Sequence, residues 1–413
     1  IKQAINGSPV KPTDFKKDEI RIKTVAKGGT SFLPEELLPS MERNVFSVYE
    51  SNSGISKFPQ TQLNKMLTGK IASAGYYIGT DRHGVNAYSS PNDLETAMQL
   101  LYLSYTEPRV EQQELEVGLS QLRALVPNLE KQPNFIFSVA IQQAIANSPR
   151  NVKINSDLLE KVNAENIKKA LNILYGDAAG TTVIVTGNVD MNTFKPLMEK
   201  YIGSIPVKAK SGRDAIDYNM VPAKGFVDNT FDVAMETPKT SVAILYSAYD
   251  IKNNLENRVA LNVLQGILDQ LYTKTIREDE GGTYGVSVQA MAMGSKDIKD
   301  CAILAMIFDT DYAKSLKLIK LAKDGLKNIA VEGPNEGYLA KTKENLLKNF
   351  PENQIQNGYW ESVLNSYYVE GVDNFTPYTD VVNSVNAQTI KALVEKILSA
   401  GNETDVIMNP AEK

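Results

Sequence analysis

The segment Thr275-Ile276-Arg277-Glu278-Asp279-Glu280-Gly281-Gly282-Thr283-Tyr284-Gly285-Val286-Ser287-Val288 holds the residue types best suited to chemistry. Arg277 brings a permanent cation with forked N–H donors, and Tyr284 brings a phenol O–H. Set together beside a peptide, the two could hold backbone carbonyls and stabilise the oxygen charge of a tetrahedral intermediate. Gly281, Gly282 and Gly285 allow positive φ or close backbone approach. An extended substrate could then lie against the segment and pair with the strand at 286–288. Read alone, the segment also fits a plainer description, with Arg277 one more charge in a solvated cluster and Tyr284 a half-buried strand residue.

The other reactive residues exclude more than they offer. One His and one Cys in 413 residues rule out any site that needs two imidazoles or a cysteine cage. A single Cys also forms no internal disulfide. His83 stands in the polar string Thr80-Asp81-Arg82-His83-Gly84 and reads as a surface residue. Cys301 opens an apolar run and reads as a small buried hydrophobe. Thr68-Gly69-Lys70 ends like a phosphate loop, but the pattern needs Gly where Asn64 stands, so a helix-to-loop transition is the better reading. Counting alone does not exclude a glycosidase-type pair among 49 carboxylates, but a single Trp offers little platform for sugars. With 44 basic residues against 49 acidic, a net charge of −5 gives no basic excess for nucleic acid.

The elements that would position these residues follow from periodicity. Residues 18–25 alternate as a half-buried strand, and Leu94, Ala97, Met98, Leu101 and Tyr105 mark a helix with Asp93 as its expected N-cap. A second helix begins near Val110, and 181–185 is a short β-branched strand. The same order recurs, with strands at 241–247 and 302–308, the latter apolar on both faces and so expected at the centre of its sheet. Leu264, Ile267, Leu268 and Leu271 form a helical stripe leading into the Arg277 segment. Tyr312, Leu316, Ile319 and Leu326 mark another helix, broken at Gly333-Pro334. Val162-Asn163-Ala164-x-x-Ile167-Lys168 is repeated by Val385-Asn386-Ala387-x-x-Ile390-Lys391, and the strands that follow keep the same spacing of 223 residues (386 − 163). Two copies of one α+β unit are expected, residues 1–205 and 206–413, each a mainly antiparallel sheet with helices packed on one face. The join is expected in 204–222, a polar stretch containing Pro206, Lys208, Lys210, Ser211, Gly212 and Arg213.

Arg277 and Tyr284, seven apart in R-E-D-E-G-G-T-Y-G-V-S-V, resemble the Arg/Tyr pair of the pitrilysin/insulinase family of zinc metallopeptidases, the inverzincins. The resemblance implies a metallopeptidase or mitochondrial-processing-peptidase-like fold of homologous domains arranged as two halves. It places this chain as the C-terminal, zinc-free half, made of the third and fourth domains. The motif that would carry zinc departs from the family. Gly54-Ile55-Ser56-Lys57-Phe58-Pro59-Gln60-Thr61 can be laid on the family string, with Lys57, Gln60 and Thr61 in place of His, Glu and His. A protonated Lys repels a metal, Gln takes no proton and Thr is a poor zinc ligand.

The resemblance therefore implies a chain that holds no metal, with zinc in a partner half on the same or another polypeptide. It implies a peptide substrate met by Arg277 and Tyr284 over a loop built on Gly281, Gly282 and Gly285. A non-catalytic scaffold or peptide-binding subunit of the same family is the second reading. The longest apolar run, 301–308, is far short of the roughly 20 residues that span a bilayer. No signal peptide is read at the start, and a chain beginning at Ile1 fits processing or part of something larger. Bacterial homologues favour the cell envelope or periplasm over the cytoplasm.

Overall fold

A computed structural model describes residues 18–208, 221–294 and 298–411. In chain order the first repeat is β1 (Ile20–Lys27), α1 (Arg43–Ser53), α2 (Gln60–Met66), β2 (Ala72–Ile78), β3 (Arg82–Ser89), α3 (Leu94–Thr106), α4 (Gln112–Leu129), α5 (Pro133–Ile145), α6 (Ser156–Leu159), α7 (Ala164–Tyr175), β4 (Thr182–Gly187) and α8 (Met191–Leu197). The second is β5 (Phe226–Val233), β6 (Thr240–Ala248), α9 (Leu255–Tyr272), β7 (Ser287–Met293), β8 (Cys301–Thr310), α10 (Tyr312–Glu332), α11 (Glu336–Asn353), α12 (Asn357–Asn365), α13 (Tyr378–Ser384), α14 (Ala387–Ser399) and β9 (Asn402–Pro410). Of the expected join, residues 209–220, including Lys210, Ser211, Gly212 and Arg213, lie outside the described residues.

The two sheets repeat one topology. The first runs β2-β3-β1-β4 and the second β7-β8-β6-β9, with β5 added beyond β9. Every pairing is antiparallel except β5 on β9. This is the expected α+β class, with β8 internal as its two-sided apolar pattern requires. The spacing of 223 (387 − 164) reappears at the first residues of α7 and α14. Each helix starts the same way: Asn163 accepts from the Asn166 N–H at 2.8 Å, and Asn386 from the Thr389 N–H at 3.0 Å. The expected Asp93 cap is replaced. Ser90 accepts from the Asp93 N–H in a preceding tight turn, while the Asp93 carboxylate takes the Ile71 N–H at 2.9 Å.

The compact units do not follow the chain continuously. One unit comprises Ile1–Val126, Ile154–Tyr218 and Lys348–Gly371; the other comprises Pro127–Lys153, Asn219–Leu347 and Val372–Lys413. Each thus draws a helix from the opposite half of the sequence. In the first, α12 lies on β1 and β4, and its Glu361 receives Arg21 at 3.1 Å and Lys23 at 3.6 Å. In the second, Val242, Ile244 and Tyr246 of β6 join α9, α10 and α14 on one face of the sheet. The other face is covered by α5, whose Phe137 and Ala140 pack on Ala243, Leu245, Ala305, Val406 and Met408. Cover on both faces explains why all nine residues of β6 are buried.

Candidate peptide-contact site

The site is built on the end of α9. Leu264, Ile267, Leu268 and Tyr272 anchor this helix in the core, and the Tyr272 O–H donates to the Ala322 carbonyl at 2.8 Å. From Thr273 to Glu278 the helix widens to i→i+5 turns, closed by the Asp279 N–H on the Lys274 carbonyl. Ile276 is fully buried within this stretch, which leaves Arg277 and Glu278 facing solvent. The Gly281 N–H then donates to the Arg277 carbonyl at 3.1 Å and the chain turns. Gly281 takes φ +55°, where a side chain is disfavoured. Gly282 has a different reason for its size, since a Cβ there would come within 2.6 Å of Leu318 on α10. At Gly285 nothing lies within 4 Å of that position, so packing does not require glycine.

The neighbouring acids do not consume Arg277. Lys274 pairs with Asp279, and Lys317 of α10 holds Glu280 at 2.5 Å. The Lys314 ammonium adds contacts of 3.4 Å to the Glu280 and Gly281 carbonyls, which straps the turn to α10. Among the described residues no hydrogen bond or ion pair joins the Arg277 side chain to another side chain. Tyr284 is 99% exposed and precedes β7 rather than lying in it, so the half-buried strand description does not hold. Thr283 Oγ1 donates to the Gly285 carbonyl at 3.0 Å and fixes the backbone around it. Beside this loop lies an open groove of about 600 Å³, lined by Phe137, Gly285, Val286, Ser287, Ile307 and Asp309. Sequence reasoning missed Phe137, which comes from the other half of the chain.

The remaining candidates carry no site. His83 is 2% exposed and not at the surface as expected. Its Nδ1 lies 2.9 Å from the Gly28 carbonyl and its Nε2 2.7 Å from the Leu174 carbonyl, so both nitrogens are engaged. Cys301 is buried as expected, and burial pushes its thiol up to about 11. Thr68, Gly69 and Lys70 follow the end of α2, a helix-to-loop transition.

Zinc does not fit the described residues. It needs three or four convergent ligands, and among the described residues no group of three or more His, Cys, Asp or Glu is placed to hold a metal ion. The string 54–61 is also broken structurally: Gly54 ends α1 with φ +67°, Ile55 bridges to Phe58, and α2 begins only at Gln60. Lys57 therefore does not share a helix face with Gln60 and Thr61.

Just before this break, Glu50 of α1 takes the Tyr76 N–H at 2.7 Å. Burial pushes its carboxyl up to about 7, against the lowering effect of that bond. The folded chain thus binds this proton more tightly than the unfolded chain, whose value is about 4.5. Glu50 therefore lowers stability as pH rises from about 4.5 to about 7, and its cost is complete above that range. Glu50→Gln keeps an acceptor for Tyr76 without a buried charge. It is expected to stabilise the fold by about 1–3 kcal/mol near pH 8 and to flatten the profile below about pH 7. Urea unfolding across that range checks this; identical profiles for both proteins would refute it.

Residues 161–346 match the Peptidase M16 inactive domain. A zinc protease PQQL-like protein of Arabidopsis thaliana is 24% identical over 381 residues, covering 88% of this chain and 37% of the relative. The probable zinc protease PqqL of Haemophilus influenzae is 22% identical over 416 residues, covering 97% and 42%. The chain therefore spans about two fifths of the length of the curated relatives it matches. The periplasmic protease PqqL of Escherichia coli superposes with a TM-score of 0.80 at 16% identity, over 96% of this chain and 43% of that one. Among the described residues no helix is long and apolar enough to cross a membrane. Residues 161–346, which contain the Arg277–Tyr284 segment, are therefore similar to the Peptidase M16 inactive domain, and both curated relatives are named as zinc proteases.

Proposed function

We propose that this chain is the C-terminal half of a zinc-dependent peptidase, closing over a zinc-bearing half and offering Arg277 and Tyr284 to the peptide being cut. Hydrolysis, with the zinc it requires, is assigned to that partner half, on the same or a separate polypeptide. In this reading residues 1–205 and 206–413 descend from one peptidase domain, the first having lost its metal ligands. The observation that carries the proposal is an exposed Arg277 whose neighbours Asp279 and Glu280 are held by Lys274 and Lys317, with no ion pair to the exposed Glu278 among the described residues. A cation so spared is available to substrate carbonyls. The chamber would select peptides by size and by their ability to extend, and the periplasmic location of the Escherichia coli neighbour supports the cell envelope as compartment.

The test is assembly. The purified chain alone is expected to cleave no peptide and to retain no stoichiometric zinc after dialysis. Mixing with an H-x-x-E-H half encoded upstream or by a neighbouring gene is expected to restore cleavage. Activity in the isolated chain, or equimolar zinc by elemental analysis, would overturn the proposal. A complex that binds peptide without ever cleaving it would favour the scaffold reading, for which no observation here speaks independently.

A further inference from the structure

β7 is the last strand of its sheet and pairs only with β8 among the described residues. Such an edge normally leaves alternate N–H groups open to another strand. Here two of them, at Val288 and Ala290, are met by side chains of α9. The Ala290 N–H donates to Gln265 Oε1 at 3.2 Å, and the Val288 N–H donates to the Asp269 carboxylate. The spacing is matched: four helical residues advance about 6 Å and two strand residues about 6.8 Å. Acceptors at positions 265 and 269 therefore reach donors at 290 and 288 in turn.

The same device occurs in the first sheet with different residues. β2 holds the end position there, and its Tyr76 N–H is taken by Glu50. Glu50 lies on α1, the first α-helix after β1, as α9 is the first after β6. We propose that Gln265 and Asp269 form a clamp that stands in for the carbonyls of a missing strand and keeps the β7 edge closed to an extended peptide. Burial raises the Asp269 carboxyl, so the contact is kept at a desolvation cost that a solvent-facing residue would not carry. The peptide-contact reading above is deepened in one respect, on which this part rests: a peptide reaching Tyr284 is held by side chains, because the strand that follows is already occupied. The clamp itself stands or falls without that reading.

The full chain is used in the test, without a partner half. Gln265→Ala with Asp269→Ala is expected to speed amide exchange at Val288 and Ala290 by about tenfold, while Gln289 stays protected against β8. A fluorophore-labelled alternating Thr-Val peptide is expected to bind the double variant at least about tenfold more tightly than the parent. Asp269→Asn, which keeps an acceptor, should exchange at Val288 like the parent. Should the double variant fail to fold, Gln265→Ala alone reads the Ala290 amide. Unchanged exchange at both amides, or unchanged peptide affinity in a folded double variant, overturns the clamp. Since neither measurement requires hydrolysis, loss of the peptidase reading and loss of the clamp are told apart.

Discussion

Tyr284→Phe, in the chain assembled with a zinc-bearing half, is expected to lower kcat by about 10²-fold or more with little change in KM. The substitution removes one O–H and keeps the ring. A donor that acts mainly on the oxygen charge of the transition state contributes little to ground-state binding, so its loss falls on kcat. Arg277→Ala is expected to weaken both parameters, because a cation that grips the substrate backbone helps binding as well as reaction. Neither change should move the melting temperature appreciably. Arg277 is exposed and Tyr284 is almost fully exposed, so little packing is lost. Steady-state kinetics with a quenched peptide, alongside thermal melts, checks both. Full activity with normal melting in both variants would reduce the pair to ordinary surface residues.

Phe137→Ala is expected to have the largest effect on stability, about 3–5 kcal/mol, and in an unexpected place. Phe137 is encoded in the first half of the chain but packs on β6, β8 and β9. Hydrogen exchange should therefore show lost protection in β6 and β9, with β1 and β4 little changed. Trp360 offers a second readout, because it belongs to the other compact unit although it is encoded in the second half. Its ring is 8% exposed and its N–H donates to the Gln354 carbonyl at 2.7 Å. A loss of protection confined to β1 and β4 would show that Phe137 does not support the second sheet.

Much of this architecture could be read from patterns. The eight apolar residues from Cys301 to Phe308 placed β8 inside its sheet, and the V-N-A-x-x-I-K string at 162–168 and 385–391 exposed the repeat. Local chemistry decides such features, so a local string reveals them. The exchanged helices could not be read in this way. The periodicity of α5 shows that one face is apolar, but not which sheet the face covers. His83 was misplaced because its neighbours in sequence are polar, whereas the carbonyls that bury it come from Gly28 and Leu174. Gln265 and Asp269 look like any solvated positions on an amphipathic helix, since a strand edge leaves no mark on the sequence of the helix beside it. The Arg277–Tyr284 segment stood out because its glycines and charges are contiguous. What freed Arg277, the Lys317 contact from α10, lies 40 residues away (317 − 277).

The placement of α12 also sets an order for synthesis. The first sheet is complete once β4 ends at Gly187, yet the helix that lies on β1 and β4 begins at Asn357, 170 residues later (357 − 187). At the usual pace of about 5–20 residues per second, that face waits for roughly ten seconds or more with no cover from its own chain. During this interval Arg21 and Lys23 lack the Glu361 they later meet. β1 is internal to its sheet, so the open part is a face and not an edge, and two like charges on that face repel the same face of another copy; the charges that finally join helix to sheet thus also keep the nascent chain apart from its copies.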